Sequence, residues 1–198
     1  MATRATWQRQ LEWIGNLFVL VAFASLGYYA VVSGEAMLYQ ASEDRALDAL
    51  RADRHAVNSS AEGRLTAPHS AIGRLEIPRL GVSAIIREGT DAGTLRLAVG
   101  HIRGTASPGE GGNVGLAGHR DTFFRRLREI RSGDEVRLTT LDGRFSYRVT
   151  STSIVLPDDS HVLQDTPAPS LTLVTCYPFY FVGPAPRRFI VRAERPAG

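Results

Sequence analysis

An all-β barrel carried on one membrane-spanning helix is the architecture that this sequence predicts, and three observations predict it. Residues 13–34 contain no charged side chain. Beyond residue 70 the chain breaks into short apolar runs separated by Gly and Pro, the texture of strands and turns. Two of those runs flank Asp142-Gly143, a dipeptide suited to the tight turn of a β-hairpin.

The helix comes first. Its centre reads Leu17, Phe18, Val19, Leu20, Val21, Ala22, Phe23. At about 1.5 Å per residue the uncharged run is long enough to cross a hydrocarbon layer of about 30 Å. Trp13, Tyr28 and Tyr29 lie towards its ends, where amphipathic rings favour the interface. A cleaved signal peptide would be shorter and would end in a small-residue site. Ala22, Phe23 and Ala24 imitate such a site, but the apolar run continues through Val31 and Val32, so 13–34 reads as a retained anchor. Arg4 and Arg9 precede it; Glu35, Glu43 and Asp44 follow. The positive-inside tendency therefore keeps residues 1–12 in the cytoplasm and exports the remainder.

Residues 35–70 are rich in Ala, Arg, Asp, Glu and Ser, with Leu47 and Leu50 as sparse apolar positions. They read as a helical or partly flexible stalk of low core content, closed by Pro68. Residues 71–198 form the folded domain. Runs at 73–77 and 82–86 are split by Pro78 and the Leu80-Gly81 turn, and 94–99 suits either a helical turn or an extended segment. Further runs follow at 113–118, 136–140, 145–150, 153–156, 171–175 and 189–193. About eight short strands at close spacing point to a barrel. Phe124, Leu127 and Ile130 stand at helical spacing, predicting a short helix over 123–130.

The 198 residues carry a net charge of +3, and every basic side chain other than histidine is Arg. Arg125, Arg126, Arg128 and Arg131 lack the interleaved aromatics of a nucleic-acid stripe, so they read as a solvated face and no nucleic-acid partner is expected. One cysteine excludes an internal disulfide and a thiolate metal cluster. Among His55, His69, His101, His119 and His161 no pair has the spacing of a helical zinc site. Glu110, Asp158 and Asp159 are loop acids that could help to bind calcium, yet read as solvated, so neither metal nor cofactor is expected.

The remaining chemistry gathers near Cys176. A thiol needs a neighbouring base or cation to be a good nucleophile at neutral pH. A free Cys is commonly a small buried hydrophobe, but this one ends the apolar run Leu171, Thr172, Leu173, Val174, Thr175, and a strand end sits at a barrel rim where substrate can reach. Tyr177, Pro178, Phe179, Tyr180 and Phe181 follow as an apolar loop able to line a groove. Arg187 and Arg188 open the last strand; a guanidinium donates to an oxyanion but cannot act as a base. Adjacent strand residues face opposite ways, so only one of them can face the thiol, and periodicity leaves open which.

Three segments in register carry a resemblance. TLVTC (172–176) resembles the nucleophile strand of the sortase family, LAGHRDTFF (116–124) its histidine segment, and RFIVRA (188–193) its last strand. The TCYPF run and the Pro-Arg-Arg-Phe-Ile-Val ending look most similar to class D sortases. The resemblance implies an eight-stranded sortase-type β-barrel with short helices, and a cysteine transpeptidase. By that likeness Cys176 is the nucleophile, His119 its acid/base partner and Arg188 the cation at the oxyanion, with Arg187 as the alternative to Arg188. Leu116, Ala117, Gly118, Thr175, Tyr177 and Pro178 are the expected substrate contacts. It further implies cleavage of an LPxTG-type signal on exported proteins between Thr and Gly, and transfer of the Thr carbonyl to an amine acceptor. A thiol peptidase on the same fold, releasing free acid, and a non-catalytic peptide-binding domain are the alternatives. The site would lie on the exported side of a bacterial cytoplasmic membrane.

Overall fold

A computed structural model of the chain describes residues 2–54, 71–181 and 183–196. Helix α1 spans Ala2–Arg54. Its first part belongs to a separate compact unit ending at Leu38, and residues from Tyr39 onward belong to the second. Trp13–Ala49 of this helix is the one described stretch long and apolar enough to cross a membrane, and Leu17, Phe18, Leu20 and Phe23 are exposed on it.

In the second unit eight strands close into a barrel in the order β1-β2-β3-β4-β7-β8-β6-β5. They are β1 Ala71–Ile77, β2 Val82–Glu88, β3 Val99–His101, β4 Asn113–Ala117, β5 Glu135–Thr139, β6 Arg144–Val155, β7 Ser170–Tyr177 and β8 Arg187–Glu194. β5 closes back on β1 antiparallel. Most neighbours are antiparallel, but β2 pairs parallel with β3 and β4 parallel with β7. Alternate residues fill the interior: Leu75, Ile77, Ala84, Ile86, Val114, Leu116, Leu171, Leu173 and Val191 lie in one buried cluster. Each burial of a Leu or Ile of this kind contributes about 1.5–3 kcal/mol.

Several local expectations are refined. The ambiguous stretch 94–99 is two elements: α2 (Ala92–Leu97), whose N-cap Asp91 accepts from the Thr94 N–H (3.0 Å) and hydroxyl (2.8 Å), and then β3. Those bonds hold the Asp91 carboxyl below the ordinary range, the Thr94 hydroxyl foremost. The runs at 145–150 and 153–156 are one strand, β6, which crosses a bulge between Val149 and Ser151 without breaking. The helix over 123–130 is a 3-10 turn, Arg125–Glu129, in which Phe124 and Leu127 bury together at the three-residue spacing of that helix.

The stalk differs most. The described part of it is helical, as one of the two expected forms, and between Tyr39 and Asp48 the helix docks on the outside of β1 and β2. Gln40 accepts from the Ile85 N–H (2.7 Å) and donates to the Leu97 carbonyl (2.6 Å). Arg74 reaches Asp44 at 2.7 Å, the Arg87 guanidinium lies 5.1 Å from the Tyr39 ring centroid, and Leu47 is 3% exposed. Ile85 and Arg87 alternate with the interior residues of β2, so the helix is what buries them on the outer face. The expected linker beyond residue 54, with His55, Pro68 and His69, lies outside the described residues.

Candidate active site

The site is built on the ladder of β4, β7 and β8. In β7 the interior set is Leu171 and Leu173, so alternation turns Val174 and Cys176 to the outer face. Cys176 is half-buried. Directly opposed residues of an antiparallel pair share a face, and Cys176 opposes Arg188 while Tyr177 opposes Arg187. Of the two arginines, then, Arg188 stands on the thiol's face. Its Nη1 donates to the carbonyls of Ala185 (3.2 Å) and Arg187 (3.1 Å), which turns the guanidinium towards the β7–β8 loop.

On the other flank β4 runs parallel to β7, with Ala117 beside Val174. The pairing extends one residue past the strand: the Gly118 N–H donates to the Val174 carbonyl (3.1 Å), and the Thr175 hydroxyl donates to the Gly118 carbonyl (2.7 Å). His119 is the next residue after Gly118, as Cys176 is after Thr175, so each follows directly on this lock. His119 is exposed, and its carbonyl accepts from the Phe124 N–H (3.1 Å), which folds the chain into the turn below. Gly118 is required here because a Cβ would stand 2.7 Å from the Phe124 ring. The structure thus sets Cys176 and Arg188 across from each other on one outer face, with His119 at the end of the neighbouring strand's extension.

The expected substrate contacts divide. Ala117 is half-buried on the outer face, and Gly118 is buried in the backbone lock just described. Leu116 lies inside the barrel, and Thr175 is 2% exposed with its hydroxyl committed to Gly118, so neither side chain reaches the face that carries Cys176. Tyr177 lies on the face opposite Cys176. Its ring packs with Phe179 (centroids 6.0 Å apart) and Phe189 (6.3 Å), so the aromatic loop turns inward to close the barrel end, leaving Tyr180 and Phe181 exposed. Pro178 is half-buried, and its carbonyl accepts from the Arg120 guanidinium at 3.0 Å.

Other histidines have separate tasks. His101 is buried on the Leu116 side of β3, with Nδ1 2.8 Å from the Glu88 carboxylate and Nε2 3.0 Å from the Ala106 carbonyl. It pins the start of the β3–β4 loop. His161 is exposed beside Asp159 (2.6 Å). The β6–β7 loop that carries it is tied down at Val162, whose carbonyl accepts from Asn113 Nδ2 (3.2 Å), Thr172 Oγ1 (3.3 Å) and Arg192 Nη2 (3.1 Å). That loop is therefore a fixed wall along the outer face of β4, β7 and β8. Among the described residues no group of three or more His, Cys, Asp or Glu side chains is arranged to hold a metal ion. A thiol, an imidazole and a guanidinium so placed can attack a carbonyl, move a proton and steady an oxyanion.

Comparison with known proteins identifies the fold and the family. Residues 75–196 match the family described as Sortase domain. Sortase D of Bacillus subtilis is 44% identical over 126 residues, 63% of this chain and 64% of that relative, so the match spans less than two thirds of its length. Sortase A of Listeria monocytogenes is 27% identical over 177 residues, covering 82% of this chain and 79% of the relative. Among solved structures, the Sortase D5 transpeptidase of Clostridium perfringens superposes with a TM-score of 0.65 at 30% identity, over 78% of this chain and 98% of that one. A lid mutant of Corynebacterium diphtheriae sortase A gives 0.63 at 27% identity, over 79% and 95%.

Proposed function

The chain belongs to the sortase family and is most similar to its class D members, and from that premise we propose that it is a membrane-anchored cysteine transpeptidase acting on exported proteins with an LPxTG-type signal. The thiolate of Cys176 attacks the Thr carbonyl carbon. The C–N bond to Gly breaks, and His119 as imidazolium gives its proton to the departing amine, leaving a thioacyl enzyme. An amine acceptor then attacks the thioacyl carbon; neutral His119 takes its proton, the C–S bond breaks, and the Thr carbonyl ends in a new amide. Arg188 steadies the tetrahedral oxyanion in both steps, a role in which one donor contributes about 2.7–4 kcal/mol.

The observation that supports this reading is the pairing of Cys176 with Arg188 across β7 and β8, beside the Gly118–Thr175 lock from which His119 emerges. The apolar helix serves as the anchor, with residues 1–12 in the cytoplasm and the barrel exported. Confining enzyme and membrane-held substrate to one surface raises their effective concentration. The fixed β6–β7 wall, on this reading, lines the signal-binding groove.

The test is mass spectrometry of the detergent-solubilised chain incubated with LPxTG-type peptides and an amine, beside Cys176→Ala. A ligated peptide and an adduct on Cys176, both absent in the variant, are expected. Free acid as the sole product, with amine in excess, would replace the transpeptidase by a thiol peptidase. No covalent product with any peptide would leave a peptide-binding domain.

A further inference from the structure

Arg120 follows His119 directly, yet the two side chains part. His119 is exposed, and Arg120 is 8% exposed. The Arg120 guanidinium crosses to the loop between β7 and β8. It donates to the carbonyls of Pro178 (3.0 Å), Phe181 and Gly183 (3.2 Å), and the Asp121 carboxylate lies 3.6 Å from its Nε. Burying a cation is costly unless its donors are met, and here neutral main-chain oxygens meet most of them. The fork spreads its donors over two nitrogens to reach these carbonyls, whereas a lysine ammonium presents its three donors from a single point on a flexible stem.

The two ends of this clamp are the two halves of the proposed site. Arg120 adjoins His119, while Pro178 stands two residues beyond Cys176. Both segments have left the strand ladder: β4 ends at Ala117 and β7 at Tyr177. Past those points the parallel pairing that sets Gly118 beside Thr175 no longer holds the chain. The apolar filling of this barrel end comes from Phe124, Leu127, Phe179 and Phe189, so packing alone does not call for a cation.

We propose that Arg120 is a positioning residue, which locks the β7–β8 loop to the His119 turn and thereby sets the separation between the Cys176 thiol and the His119 imidazole. This rests on reading that pair as the reacting groups. Arg120 touches neither; it acts through the backbone on both sides.

The experiment compares the detergent-solubilised full chain with Arg120→Lys, which keeps the charge and loses the fork, and with Arg120→Gln, which serves if the Lys variant folds poorly. Peptide ligation and iodoacetamide alkylation of Cys176 are followed from about pH 5 to pH 9, together with thermal unfolding. Misplacement on the order of 1 Å can cost about 100-fold, so kcat is expected to fall by about 10- to 100-fold with a smaller change in KM. The pH profiles of ligation and alkylation should both be displaced, while the unfolding midpoint stays within a few degrees. Unchanged profiles, with activity falling only in step with the folded fraction, would overturn the proposal, because that is the behaviour of a purely structural residue. Alkylation needs no peptide. If the unaltered chain ligates nothing, the transpeptidase reading fails, yet the alkylation profiles still decide the role of Arg120.

Discussion

Arg188 stands directly across the β7–β8 ladder from Cys176, whereas Arg187, its neighbour, stands across from Tyr177 on the other face. Two side chains of identical chemistry are thus separated by the pleat alone. Arg188→Ala should lower turnover by about 10²–10³-fold, the range for losing one oxyanion donor. Arg187→Ala should stay within about twofold, as a surface charge does. Steady-state kinetics of both variants checks this; equal losses would mean that Arg188 is not distinguished by its facing.

Gly118 meets the Phe124 ring at 2.7 Å from where a Cβ would be built, and it carries the two hydrogen bonds that seat His119. Gly118→Ala must push the His119 turn away from β7. Ligation should drop by about 10-fold or more, while far-UV circular dichroism stays that of the parent barrel. Undiminished ligation would show that the turn tolerates the shift.

Leu47 is buried although it lies in a segment with few apolar residues. Leu47→Ala should cost roughly 2–3 kcal/mol, towards the low end for such truncations because the site lies in an outer layer. Urea unfolding of a chain starting at Tyr39 reads this. A chain starting at residue 71, lacking the docked helix, should unfold at a lower midpoint still, since Ile85 and Arg87 lose their cover.

Asp134 links distant parts of the chain. Arg79 grips it through Nε and Nη2, and the Arg131 N–H donates to it at 2.8 Å. The Arg79 side chain, first among these, holds the Asp134 carboxyl below its ordinary range. A depressed folded value means that the stabilisation is complete above the unfolded value of about 3.9 and is lost as pH falls through the folded one. Thermal midpoints should therefore decline below about pH 4, and Asp134→Asn should start lower at neutral pH and decline less.

Much of the barrel was legible because its strands announce themselves by alternation and by Gly and Pro punctuation, and the Asp142-Gly143 turn fixed one hairpin. The order of strands was not, since β4 meets β7 and β1 meets β5 across long stretches of chain that no local pattern records. The nucleophile segment could be read from its strand-end position. The resemblance named Arg188, but that it and not Arg187 shares the face of Cys176 needed the ladder register, and the inward facing of Leu116, Thr175 and Tyr177 could not be read without knowing which face of β4 and β7 forms the interior. The docking of the helix between Tyr39 and Asp48 escaped because it depends on polar side chains, Gln40 and Asp44, finding partners on β1, β2 and α2. Arg120 was visible only as the letter after a histidine, because burial of a cation has no local signature.

The parallel pairing of β4 with β7 has a kinetic side. Gly118 and Thr175 are 57 residues apart, and closing a loop of that length costs on the order of 3–4 kcal/mol of chain entropy before any contact rewards it. Long-range pairings of this sort form late and slowly. A nascent or refolding chain thus carries its thiol uncoupled from the imidazole until β5 and β6 have been threaded around the barrel. In a refolding time course, the gain of ligation activity should coincide with the slowest structural phase, so that premature chemistry on unfolded neighbours is avoided by topology alone.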